Sequence, residues 1–236
     1  MKPGALVSSR VLALALVAVV SYAQTATPRT PPPPPAELVG RVETTAPSGE
    51  KSPATGAVVW IPGVPAARSA PPAMSSNQKR FAPHVIAVTR GTVVSFPNQD
   101  KVFHNVFSRT TGSEFDLGLY RRGASRGFTF RSAGLVRLYC NIHAEMAAYV
   151  LVLDPEDAFA VADGDGAFRL TDLPAGRQAL RVWSEKGGEK ELTVDLGPEG
   201  AAPLDIVLDA SSYRPLPHKN KFGQDYPPAT QGVDRY

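Results

Sequence analysis

Cysteine is the scarcest residue in this chain: Cys140 is the only one among 236. No internal disulfide can form, and a lone thiol outside the reducing cytosol is either buried and inert or bound to something. Long apolar runs are also lacking. The one candidate, residues 11–20, is too short to span a bilayer, so no membrane span is expected. Histidine (4) and methionine (3) are scarce too. No segment shows a convincing apolar period of 3.6. Net charge is close to neutral, which leaves no case for nucleic acid or a membrane surface as partner.

What is present begins with an export signature. Lys2 and Arg10 precede the apolar run and Ser21-Tyr22-Ala23 fits a small-x-small cleavage site, so residues 1–23 read as a signal peptide. The mature protein is expected to be soluble, in the periplasm or outside the cell, with 23 basic residues against 22 acidic. Residues 24–36 include five successive prolines, which hold φ near the polyproline II value and remove donors, and they read as an extended linker. At the other end, residues 210–236 are rich in Pro, Lys and polar side chains without a period. They are expected to form an extended tail, lying on a surface or free, that neither the core nor a bound metal needs.

Between linker and tail, short runs of β-branched and aromatic residues alternate with Gly, Pro, Asn and Asp. "ELVGRV", "AVVWI", "HVIAV", "TVVSF", "HNVFS", "GFTF", "LVRLYC", "AYVLVL", "AFRL", "ALRVW", "ELTVDL" and "LDIVL" all read as strands. The chain is therefore expected to be all-β, with sandwiches or barrels rather than a parallel sheet with crossover helices.

The cysteine stands in "YCNIHAEM", with His143 three positions on and Met146 three beyond that. A free cysteine is ordinarily a small buried hydrophobe. These neighbours argue for a different role. A thiolate with two imidazoles and a weak thioether suits copper, because a His₂Cys plane with a long axial Met is the blue-copper arrangement. The second imidazole has to come from a distant segment to complete a plane, and His104 in "FPNQDKVFHNVFS" supplies it after a turn of Asn98, Gln99 and Asp100.

From Phe81 to Leu153 the chain resembles the cupredoxin family, to which plastocyanin and pseudoazurin belong. The resemblance rests on "FAPHVIAVTRGTVVSFPNQD", "HNV", "GFTFRSAGLVRLYC" and the Cys-x-x-His-x-x-Met loop before "AYVLVL". It implies a Greek-key β-sandwich over residues 78–153 holding one mononuclear type 1 copper, with His104, Cys140 and His143 as strong ligands and Met146 axial. Asn105 would brace the ligand loop. Plastocyanin-like loops place four residues between the second histidine and the methionine, whereas here only Ala144 and Glu145 intervene, so Glu145 is kept as an alternative axial donor. "FDLGLY" and "CNIH" also resemble exported proteins often labelled methylamine utilization proteins.

"GAFRLTDLPAGRQALRVW" is similar to the second half of a carboxypeptidase-regulatory-like or transthyretin-like sandwich, and "GAVVWI" to its first half. The likeness implies a discontinuous small β-sandwich, residues 37–62 and 157–209, with the copper domain inserted; residues 37–62 as an extra hairpin of the copper domain is the other arrangement. Asp163-Gly164-Asp165-Gly166 reads as a tight turn rather than a calcium loop. His84 is expected to be an ordinary strand residue and His218 to be solvated. The arginines at 121, 122, 126, 131 and 137 are expected to solvate edge strands.

Three functions remain at this point: electron transfer, copper delivery or storage, and a structural or recognition module without metal. Electron transfer would use an apolar patch of Ile142, Ala144, Ala147 and Ala148 around His143, with a redox partner such as an exported cytochrome or dehydrogenase. No nucleophile with a base and orienter is visible, so an enzyme is not expected, small-molecule chemistry at an open copper site aside.

Overall fold

Alternation of inward and outward side chains is clearest in β-strands such as Ala36–Thr45 and Val93–Pro97 of the computed structural model, which describes residues 1, 35–65, 73–197, 200–215 and 217–226. Apart from Met1 the expected signal peptide lies outside these, as do residues 24–34 of the linker and residues 216 and 227–236 of the tail. Among the described residues all regular elements are strands. They are β1 (Ala36–Thr45), β2 (Lys51–Pro53), β3 (Val58–Ile61), β4 (Ser75–Asn77), β5 (Arg80–Ala82), β6 (Val85–Thr89), β7 (Val93–Pro97), β8 (Phe107–Ser108), β9 (Phe115–Asp116), β10 (Ser125–Thr129), β11 (Gly134–Tyr139), β12 (Ala147–Leu153), β13 (Ala158–Val161), β14 (Ala167–Leu173), β15 (Gly176–Ser184), β16 (Gly188–Leu196) and β17 (Leu204–Asp209). No described helix is long and apolar enough to cross a membrane.

The strands form a stack of layers. The outermost sheet has the order β14-β1-β17 with β2 on β1, and the next has the order β13-β3-β15-β16. Leu38, Val59, Ile61, Phe168, Leu180 and Ile206 fill the space between them. A third sheet, β6-β12-β11-β8-β9, follows, and the β10-β7 pair covers its far side. Phe96, Phe130, Leu138, Val150 and Cys140 belong to the core between those two. Val58, Trp60, Val85, Ala87, Leu151, Leu153 and Trp183 join the second layer to the third.

This stacking explains the uninterrupted apolar run "VVWI". Side chains of a strand alternate faces, and β3 is buried on both: Val58 and Trp60 meet the third sheet while Val59 and Ile61 meet the outermost one. β6 and β12 are two-faced in the same way, pairing in parallel from Tyr149↔Val85 to Leu153↔Thr89. Each large side chain removed from water on these faces contributes on the order of 1.5–3 kcal/mol.

The outer sandwich draws on both ends of the described chain. β1 pairs antiparallel with β14 and parallel with β17, and β3 lies between β13 and β15. Asp163–Gly166 is a turn: the Gly166 N–H bonds the Asp163 carbonyl, and a Cβ on Gly166 would come within 2.3 Å of the Val42 carbonyl oxygen. "HNVFS" is a strand only at Phe107 and Ser108, because His104 leaves the ladder for an isolated bridge to Tyr120.

Candidate metal centre

The loop from Cys140 to Met146 joins β11 to β12 directly beyond their last pair, Tyr139↔Ala147. Val136, Leu138 and Cys140 share one face of β11, and Met146, Ala148 and Val150 share one face of β12; all six are buried. Strand alternation therefore aims the thiol and the thioether inward. Two backbone bonds close the loop, Met146 N–H to the His143 carbonyl (3.1 Å) and Cys140 N–H to the Met146 carbonyl (3.1 Å).

His104 approaches from the opposite segment. Its bridge to Tyr120 holds it through two backbone hydrogen bonds, 3.1 and 2.9 Å, and its side chain is fully buried. Nδ1 of His104 lies 3.9 Å and Nδ1 of His143 3.6 Å from Cys140 Sγ. The ligand atoms of all three residues lie within 4.8 Å of one another. A nitrogen about 2.0 Å and a sulfur about 2.3 Å from one ion, at a trigonal to tetrahedral angle, are about 3.6 Å apart, so this donor set fits a single metal.

Backbone and carboxylate groups set the electrostatics. Burial pushes the Cys140 thiol above its ordinary pKa, and backbone N–H groups of Asn105, Ile142 and His143 pull the other way. Burial likewise holds His104 below the ordinary histidine value, against the Asp100 carboxylate at 2.6 Å from Nε2. For Asp100 burial would raise the pKa, but hydrogen bonds from Lys79, His104 and Gln78 outweigh it and keep it below the usual carboxylate range. The lowered His104 value favours a neutral imidazole with a lone pair to give, and the lowered Asp100 value an ionised carboxylate beside it. Asn105 ties the two ligand segments together: its Oδ1 accepts the Asn141 N–H (3.1 Å) and its Nδ2 donates to Asp116 (2.6 Å).

The structure thus brings His104, Cys140 and His143 together and buries Met146 in the same core. Glu145 is exposed and outside the group. Of the residues expected to form a partly exposed docking patch, Ala144 is exposed, Ile142, His143 and Ala147 are half-buried, and Ala148 is fully buried. His84 is neither a plain strand residue nor a ligand. It precedes β6 and meets Glu185 at 2.8 Å, where the Tyr149 and Tyr213 hydroxyls also donate. The five arginines are exposed.

The tail requires the largest correction. His218 is not solvated: its ring stacks on Tyr139 with centroids 4.1 Å apart, and the Tyr226 hydroxyl lies 3.2 Å from its Nδ1. Tyr226 donates to the Cys140 carbonyl (2.6 Å), Lys221 N–H donates to the Asn141 side chain (3.0 Å), and the Lys221 ammonium pairs with Asp116 (2.7 Å). The residues flanking the thiol are thereby held from outside. Sequence reading missed Asp100, taken only as a turn residue, and the aromatic and basic groups of the tail. His218 and the scattered aromatic rings of this Pro-rich, polar segment were the available signal.

No family model and no curated protein matches the chain. Among solved structures it is similar to the purple cupredoxin of Nitrosopumilus maritimus, with 22% identity, 34% of this chain and 97% of that one covered, and a TM-score of 0.31. It is similar also to the copper-containing nitrite reductase NirK of Thermus scotoductus SA-01, at 23% identity, 40% and 27% coverage and a TM-score of 0.34. A reduced Cu(I) amicyanin variant at pH 4 gives 19% identity, 40% and 97% coverage and a TM-score of 0.33.

Proposed function

We propose that this chain is an exported copper-binding electron carrier whose single mononuclear centre is held by His104, Cys140 and His143, with Met146 as a weak fourth donor. The observation that carries the reading is the enclosed thiol with two imidazole Nδ1 atoms at 3.6 and 3.9 Å. Zinc in structural sites takes four strong ligands, and a thioether is not among them. Three strong donors and a buried thioether match copper. Bound there, copper would supply a one-electron couple.

The chain's own residues do the rest. Two loop hydrogen bonds and the Asn105–Asn141 bond hold the ligands in one arrangement, so little has to move when an electron arrives or leaves. Burial of His104 and Cys140 keeps water from those two ligands. Glu145 faces solvent, which speaks for a closed site rather than one that admits a small molecule. The partner on this reading is a redox protein such as an exported cytochrome or dehydrogenase. We read the inner layers, residues 78–153, as a cupredoxin-type domain inserted into a regulatory-like sandwich of residues 37–62 and 157–209; the pairing of β1 and β3 with β13 to β17 supports this division.

The test is the visible spectrum of the full chain loaded with copper(II). An intense thiolate charge-transfer band should appear and vanish in Cys140→Ser. Uptake of copper without such a band would refute the assignment. Met146→Leu should keep the band and raise the reduction potential, and Met146→Gln should lower it, because copper(II) gains more than copper(I) from a harder donor.

A further inference from the structure

Asp100 is held more firmly than a turn residue requires. Its Oδ1 accepts the Gln78 N–H at 2.5 Å, and its Oδ2 accepts the Lys79 N–H at 2.8 Å and His104 Nε2 at 2.6 Å. Its own N–H is fixed by Asn98 Oδ1 at 2.9 Å. The two N–H groups come from the tip of the β4–β5 hairpin, where Gln78 (φ 52) and Lys79 (φ 55) both adopt the left-handed conformation that side chains disfavour. A two-residue turn of this kind suits a tight hairpin, and here it points successive N–H groups at one carboxylate. Gln99 N–H to the Ser76 carbonyl (2.9 Å) docks the hairpin on the same loop. On its outer side Asp100 borders a cavity of about 480 Å³ whose walls include Lys79, Lys101 and Arg122, a cationic setting for the carboxylate.

An ionised carboxylate only accepts hydrogen bonds. With Asp100 ionised, the hydrogen it shares with His104 sits on Nε2, and in the neutral ring Nδ1, the nitrogen facing Cys140, keeps its lone pair. A carboxylate behind a ligating imidazole both fixes the ring and makes it a stronger donor.

We propose that Asp100 is a positioning residue of the metal centre, selecting the His104 tautomer that can ligate and strengthening Nδ1 as a donor to copper(II). The metal half of this inference rests on the copper reading above; the tautomer half does not. A group that only propped the loop would weaken both oxidation states of copper alike. One that strengthens the donor favours copper(II) over copper(I), because the higher charge draws more on the lone pair.

Three measurements on the full chain test this. In the metal-free protein, long-range proton–nitrogen NMR should place the His104 proton on Nε2; a dominant Nδ1–H form would overturn the proposal whether or not copper binds. In Asp100→Asn, titration with copper(II) alone should show affinity reduced about 10- to 100-fold, and titration with copper(I) alone a smaller loss. Each tenfold difference between the two losses reads as about 59 mV of rise in the reduction potential. Equal losses with an unmoved potential would assign Asp100 a purely structural role and sink the inference while leaving the copper centre standing. A wild-type chain that takes up no copper would sink the copper reading, and with it the donor-strength half of the proposal.

Discussion

Among the described residues, the sandwich built from β1 to β3 and β13 to β17 buries two polar side chains, Thr44 and Ser184, whereas the layers of residues 73–153 that contain Cys140 bury six: Ser76, Asn98, His104, Asn105, Ser108 and Ser113. Buried polar groups cost free energy unless each finds a partner, so they accumulate where geometry matters more than stability. Asn98 illustrates the use. Its amide donates to the Val102 and Tyr120 carbonyls at 2.9 and 3.0 Å, and its oxygen receives the Asp100 N–H, so one side chain fixes both ends of the segment that carries His104. Among its described residues the outer sandwich has no such centre. Its core is mostly apolar, and its tolerance of change should differ accordingly.

The contrast can be broken most forcefully at Leu180, fully buried in the outer sandwich. Leu180→Ala should cost about 2–5 kcal/mol and lower Tm by roughly 5–15 °C, while copper affinity of the folded chain stays unchanged. A parallel loss of affinity, read by chelator competition, would show that the two sandwiches are coupled through the Trp60–Leu151–Trp183 layer. Asn98→Ala should be milder in stability, about 1–3 kcal/mol, yet should weaken copper binding markedly because Asp100 and His104 hang from it. If it lowers Tm and leaves affinity alone, the polar core is not what shapes the site.

Smaller effects sharpen the comparison at the tail. Tyr226→Phe removes one hydrogen bond, worth about 0.5–1.5 kcal/mol, and should shift the visible band and speed loss of copper to a chelator; ending the chain after Tyr213 should do both more strongly. The least effect is expected at Glu185, where hydrogen bonding by His84 holds the carboxyl below its ordinary value of 4.5. A depressed folded-state pKa stabilises above the unfolded value and is lost as pH falls through the folded one. Glu185→Gln should therefore melt a few degrees lower near neutral pH, and the gap should close in acid below about 4.5. A gap that persists in acid would mean that charge plays no part in this contact.

The layers were legible in sequence because burial on two faces leaves unbroken runs such as "VVWI" and "YVLVL", and burial on one face leaves alternation. Cys140, His143 and Met146 were legible because one short loop carries all three at fixed spacing. β4 and β5 were not: "SSNQKRFA" has neither signature, since its hairpin is held by backbone contacts and a carboxylate. The role of Asp100 hid behind ordinary turn chemistry. The docking of the tail escaped notice because it runs through a carbonyl, an amide, a carboxylate and one ring, none of which recurs with a period.

The parallel pairing of β1 with β17 also constrains the order of events as the chain folds. β6 to β12 can close on each other once the segment through Leu153 exists, but β1 lacks one of its neighbours until Leu204–Asp209 has been made. Joining ends so far apart carries the largest loop-closure entropy in the molecule and is expected to be slow. The layers that contain the thiol can therefore assemble first, so Cys140 is shielded early while the outer sandwich is still waiting for its last strand.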